Sequence, residues 1–164
     1  MDDPGILYVS MHQEHFYPFE GAITDVHRGA VGTTLNIPLR RGTTGLDYRT
    51  IWDRVVIPVT TAFEADWVLV SCGFDAHQAD PLADLELVAA DYGAMAASLA
   101  SIWPANRLLL ALEGGYSLEG LRQSAAATAR GLAGVEMPTA GEGTEYAQAV
   151  IAEVSEELSR YWPI

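Results

Sequence analysis

The chain has 164 residues, 49% hydrophobic and 19% charged, which excludes a disordered chain and fits one globular domain. Its nine basic residues are all Arg; against 22 acids they leave a net charge of −13, which repels phosphate backbones and argues against nucleic acid as a direct partner. No apolar run reaches the roughly 18 residues of a membrane span, Met1–Gly5 is acidic with no signal-peptide core, and the lone Cys72 excludes an internal disulfide, so a cytoplasmic protein with no membrane partner is expected.

Ile6–Met11 is a short, β-branched-rich apolar run and predicts a buried strand. Residues 12–33 carry His12, His15 and His27 with several Gly and no useful period, and they read as a long loop of the kind that is usually functional or disordered. Thr34–Leu39 predicts a second strand, and Arg40–Gly45 a turn. Ile51, Trp52, Val55, Val56, Val59 and Phe63 share one helical face, which predicts a helix over Tyr48–Phe63. Asp47 is its expected N-cap, and Pro58 should kink or end it.

Trp67–Cys72 is the clearest strand, followed by a polar loop over Gly73–Leu85. Val88–Trp103 is Ala-rich and helical, Leu108–Leu112 is a fourth strand, and Ser117 caps a helix over Leu118–Leu132 that ends at Gly134. A linker over 135–143 leads to a Glu-rich amphipathic helix, Thr144–Tyr161. Apolar strands alternating with helices predict an α/β fold: a mostly parallel sheet with helices on both faces. The expected division is an α/β part over 1–134, the linker and the last helix. In such sheets ligands bind beyond the carboxyl ends of the strands. Three strand ends carry polar residues there: Ser10-Met11-His12, Cys72-Gly73-Phe74-Asp75 and Glu113-Gly114-Gly115-Tyr116.

Asp75, just past an apolar strand, is either a loop cap or a cation ligand, and His77 follows two residues on. The pair Gly114-Gly115 lets backbone approach a ligand closely. Tyr116 then either donates to a developing oxyanion or is a half-buried residue of a tight turn. Glu113 is read as a buried partner for Arg or a backbone clamp. His12 has the best chance among the loop histidines of facing the crevice, and His27 is read as incidental. Phe16-Tyr17 either walls a tunnel or pins the loop. No phosphate loop, G-x-S-x-G, H-E-x-x-H or C-x-x-C motif is present, which weakens nucleotide, serine-hydrolase, zincin and thiol-redox readings.

The motifs SMHQ with HFYP, GTTLNIPL, VLVSCGFDAHQADPLADLEL and LALEGGYSLEGL occur in that order. Together they resemble the C-terminal half of the zinc-dependent histone deacetylase and acetylpolyamine amidohydrolase family, in its class II-like bacterial form, over about Asp3–Gly134. The resemblance implies the open α/β fold of arginase, apparently begun part-way into the domain, and a hydrolase of acetyl-amides. It implies Asp75 as a zinc ligand and Tyr116 as the group that polarises the acetyl carbonyl and stabilises the oxyanion. Gly114 and Gly115, with Phe16 or Tyr17, would line the acyl-lysine channel. Ser10 and Met11 match positions that help bind a potassium ion. His12, His77 and Asp80 stand outside these roles, as surrounding residues, and His77 is expected to hydrogen-bond the loop around Asp80. Val88 stands where the family often has a capping Ser or Thr.

The family's D-x-H-H-G ligand segment and tandem-His base are not found in this sequence. Four readings follow. The first is a zinc-dependent deacetylase-family protein acting on an acetylated lysine peptide or acetylpolyamine, inactive without a complementing N-terminal segment or chain. The second is a non-catalytic binding or dimerisation module of the same fold, with homo-oligomers expected. The third is an unrelated flavodoxin-like binding protein. The fourth is a makeshift metal site of His12, Asp75 and His77.

Overall fold

The computed structural model describes residues 3–17, 19–138 and 141–164. The elements in chain order are β1 (Tyr8–Gln13), β2 (Thr34–Leu39), α1 (Gly45–Ile51), α2 (Ile57–Ala62), β3 (Val68–Cys72), α3 (Ala89–Ile102), β4 (Leu108–Leu112), α4 (Leu118–Leu132) and α5 (Glu145–Leu158).

All strand pairing is parallel, but the expected single sheet is two separate pairs among the described residues. In one, β1 pairs with β2 from Tyr8↔Thr34 to Gln13↔Leu39. In the other, β3 pairs with β4 from Val68↔Leu108 to Cys72↔Leu112. β1 is displaced two residues toward the C-terminus from its expected span. Asp3 takes the early N–H groups instead: Gly5 N–H donates to Asp3 Oδ1 and Ile6 N–H to Asp3 O. Pairing with β2, not hydropathy, then sets the strand's ends.

Leu35, Ile37 and Leu39 of β2 are fully buried, and Asn36 on its other face is buried too. Each such apolar side chain contributes about 1.5–3 kcal/mol of burial. The same core takes in Val26, Ile51, Val55, Val59 and the α5 residues Val154 and Leu158. The cover expected on both faces is absent from β3–β4. Alternate residues along both strands face solvent, with Leu69 73% and Leu109 55% exposed.

The helix expected over Tyr48–Phe63 begins three residues earlier and has a π turn, Trp52–Val56, between α1 and α2. Thr44, not Asp47, is its N-cap: Thr44 Oγ1 accepts the Asp47 N–H. Gly45 is required because a Cβ there would collide with the Asp91 carboxylate of α3. Asp47 is buried and accepts the Thr144 N–H at 2.8 Å, which anchors the start of α5. Pro58 does not end the helix, which runs on to Ala62. A proline lacks the N–H for the carbonyl four residues back and its ring crowds that carbonyl. The wider turn before it, in which Ile57 N–H donates to Trp52 O, removes the conflict.

Asp91 Oδ2 accepts the Val88 N–H at 2.8 Å, so the helix start that lacks a Ser or Thr cap is held from its third residue. α3 and α4 approach closely enough that a Cβ on Gly131 would strike the Gly93 carbonyl. Ser117 Oγ accepts the Gly120 N–H at 3.2 Å, and Gly134 (φ 75°) ends the last turn of α4, both as expected from sequence. His27 is not incidental: it lies 2.7 Å from Glu157 Oε2 through Nε2 and 3.0 Å from Tyr161 Oη through Nδ1, tying α5 to the β1–β2 loop. Among the described residues no helix is long and apolar enough to cross a membrane.

Candidate active site

β3 and β4 run parallel and end side by side, so Asp75 and Tyr116 leave neighbouring strands on the same edge. The two segments are bonded past the strand ends: Glu113 N–H donates to Cys72 O at 3.3 Å and Phe74 N–H to Gly114 O at 2.9 Å. A Cβ on Gly114 would lie 2.6 Å from Asp75 Oδ2. A Cβ on Gly115 (φ 128°) would lie 3.1 Å from the Phe74 Cβ. Both glycines are therefore needed for the Asp75 loop and the Tyr116 turn to touch, and Gly115 also for the reversal of chain direction.

Burial pushes the Asp75 carboxyl above the usual carboxylate range, and the Asp80 charge adds to this; backbone N–H groups of Asp75 and Ala76 oppose it. Tyr116 is 60% exposed, so the half-buried turn residue is not what the fold contains. Its backbone N–H donates to Asp80 Oδ2 at 2.7 Å. Asp80 Oδ1 accepts the N–H groups of Leu82 (2.9 Å) and Ala83 (3.4 Å). His77 is buried, its Nδ1 accepts the Ala79 N–H at 3.1 Å, and its ring packs where a Cβ on Gly120 would stand. Glu113 is exposed, so it is no buried partner for Arg, and only its backbone takes part in joining the two segments.

On the β1 side, Ser10 Oγ lies 3.0 Å from His12 Nδ1, and His12 Nε2 lies 3.2 Å from the Gly21 carbonyl. Burial pulls the His12 pKa down, against the raising effect of the bonds to Gly21 and Ser10. The Met11 carbonyl accepts the Tyr48 hydroxyl at 3.3 Å. Tyr17 is 78% exposed with its ring edge-on to Phe19, while Phe16 is half-buried. Pro18 lies outside the described residues.

Two phenols near Asp75 gave no signal in the sequence. Tyr48 is raised above an ordinary phenol by burial first and the Asp75 charge second. Tyr92 is raised by burial, then by the Tyr48 and Asp75 charges. Its ring stands edge-on to Phe74 at 5.0 Å, and its buried Oη has no hydrogen-bond partner among the described residues. Both sit in helical stretches where a Tyr reads as one more apolar position.

A catalytic zinc takes three protein ligands and an open position. Among the described residues no three His, Cys, Asp or Glu side chains cluster as a metal site. His12 is held by Ser10 and the Gly21 carbonyl and Nδ1 of His77 by the Ala79 N–H, so His12, Asp75 and His77 do not gather into the makeshift site. The residues present therefore do not by themselves fit a resident zinc.

The carboxyl ends of β3 and β4 thus bring a carboxylate on one loop and a phenol on the next to the same edge of an α/β domain. Residues 1–132 match the histone deacetylase domain, and the chain belongs to the histone deacetylase family. It is 41% identical over 137 residues to "Histone deacetylase 14, chloroplastic" of Arabidopsis thaliana, covering 81% of this chain and 32% of that one. It superposes on the solved histone deacetylase Clr3 with a TM-score of 0.90 and 36% identity, over 98% of this chain and 28% of that one. For the HDA15 HD domain the TM-score is 0.87 with 33% identity, over 96% of this chain and 45% of that one. The chain thus spans less than half of each of these relatives. The Clr3 match extends the likeness beyond Gly134 into α5.

Proposed function

We propose that this chain carries the tyrosine side of a deacylase site for acetyl-amides, an acetylated lysine peptide or an acetylpolyamine, and that it turns them over only with a complementing segment. The observation that carries the reading is the contact of two strand-end loops, which holds the Asp75 carboxylate and the Tyr116 backbone together through Gly114. Family membership supports the reaction class. The net charge of −13 suits a cationic substrate.

In this reading the exposed Tyr116 phenol donates a hydrogen bond to the acyl oxygen as it gains charge, while Gly114 and Gly115 keep its turn against the Asp75 loop. Asp75 offers one carboxylate toward a zinc whose remaining ligands come from elsewhere. The complementing segment also brings the base. The test is hydrolysis of an acetyl-lysine peptide and an acetylpolyamine, with zinc present, by the chain alone and by the chain co-expressed with the part of the Clr3 deacetylase that has no counterpart here. The chain alone should show no turnover. The complemented pair should, and Tyr116→Phe should lower its kcat by about 10²–10³. Turnover indifferent to Tyr116→Phe would sink the reading.

The exposed face of β3–β4 favours a second reading, a binding or dimerisation module. Trp67, Leu69 and Leu109 on that face are all more than half exposed. That reading calls for concentration-dependent association in sedimentation that Leu69→Ser with Leu109→Ser abolishes.

A further inference from the structure

We infer that Asp80 is the positioning residue for the Tyr116 phenol: its buried carboxylate sets where the ring stands by holding the Tyr116 backbone N–H. The inference rests on the proposed role of Tyr116.

The side chain of Tyr116 is 60% exposed, so packing does little to fix it. Its placement comes from the backbone. On one side Gly115, at φ 128°, turns the chain. On the other, Ser117 starts α4 with its capping bond to Gly120. Between them the Tyr116 N–H is tied to Asp80 Oδ2 at 2.7 Å, the short distance of a charge-assisted bond. With the N–H pinned, the Cα–Cβ direction is set, and only χ1 and χ2 remain to aim the phenol.

Asp80 can serve this way because it is itself held. It is 9% exposed, and its other oxygen accepts from Leu82 and Ala83. Asp80 also belongs to the loop that carries Asp75. One side chain thus locks the separation between the carboxylate and the phenol. The isostere shows what is special about the acid. A carboxylate presents two acceptors, and each faces backbone N–H groups here. Asn keeps the shape but turns one acceptor into a donor that must face an N–H.

The test is solution NMR on the full chain. In the wild type, a scalar coupling across the hydrogen bond between the Tyr116 amide nitrogen and the Asp80 side-chain carboxyl carbon should be detected, which needs no variant. In Asp80→Asn, amide exchange at Tyr116 should rise at least tenfold while the β4 amides of Leu109 and Leu110 keep their rates, and the Tyr116 ring resonances should shift. In Tyr116→Phe the coupling should persist. A missing coupling in a folded wild-type chain, or exchange at residue 116 unchanged in Asp80→Asn, overturns the inference. A coupling that persists while no complemented form hydrolyses an acetyl-amide overturns the proposed function and leaves the Asp80 contact standing. In a complemented pair that does turn over acetyl-lysine peptide, Asp80→Asn should lower kcat and leave KM within twofold. A fall confined to KM would contradict a positioning role.

Discussion

The two strand pairs are built from similar sequence and end in different surroundings. TLNIPL and VLVSC are both short apolar runs, and both join a parallel partner. β2 buries Leu35, Ile37 and Leu39 in the core and Asn36 on its other face, where Asn36 Nδ2 donates to Asp25 of the β1–β2 loop. β3–β4 leaves Leu69 and Leu109 in solvent. An apolar strand says that cover is wanted, and says nothing of whether the same chain provides it. In a domain whose solved relatives are more than twice as long, that gap falls on the pair that carries Asp75 and Tyr116.

The sharpest way to break this comparison is at the tie between the regions. Arg49 of α1 and Asp91 of α3 form an ion pair at 3.0 Å with both side chains nearly buried. Removing one partner of a buried pair costs about 3–5 kcal/mol, so Asp91→Ala should lower the urea midpoint more than any other single change considered. Its capping of the Val88 N–H adds to the loss. Next comes the contrast within the strands. Ile37→Ala should cost about 2–5 kcal/mol, because it empties a fully buried site. Leu109→Ala, on the open face, should stay within about 0.5 kcal/mol. Equal losses would mean that β3–β4 is covered in solution, by a second copy for instance.

The pH response should come from the β1 side. Burial holds the His12 pKa below its ordinary 6.5 in the folded chain. As pH falls below that value the unfolded chain takes up the proton first, so stability present above it is lost toward the lower folded pKa. His12→Gln should remove that part of the slope between pH 7 and 5 in denaturation series at fixed ionic strength. A small effect is also expected where α5 meets the β1–β2 loop: His27→Ala should cost about 1 kcal/mol or less, because His27 and Glu157 are each more than 30% exposed. Hydrogen exchange should show any loosening confined to α5 and the loop it touches.

Much of this was legible in the sequence. Ser117 and Gly134 bracket α4 because capping and left-handed backbone depend on the local residue alone. The motifs holding Asp75 and Tyr116 stand at strand ends because apolar runs punctuated by Gly mark such ends. What was not legible depends on distant partners. Thr44 displaces Asp47 as the cap because Asp47 is needed by Thr144 and Gly45 by Asp91. The π turn before Pro58 is one of two ways to relieve the same clash, and the sequence does not choose between them. His27 looks idle until α5 folds back onto it. Asp80 shows no role in the sequence because its bond to Tyr116 spans 36 positions.

The most direct test of the half-site is zinc stoichiometry by elemental analysis after equilibrium dialysis, on the chain and on Asp75→Ala, with circular dichroism to establish that both are folded. A folded chain that retains no zinc, in both forms, is the expected result, because among the described residues no three potential ligands cluster as a metal site. One zinc per chain, lost in Asp75→Ala, would contradict it and place a complete metal site in this chain or between two copies of it.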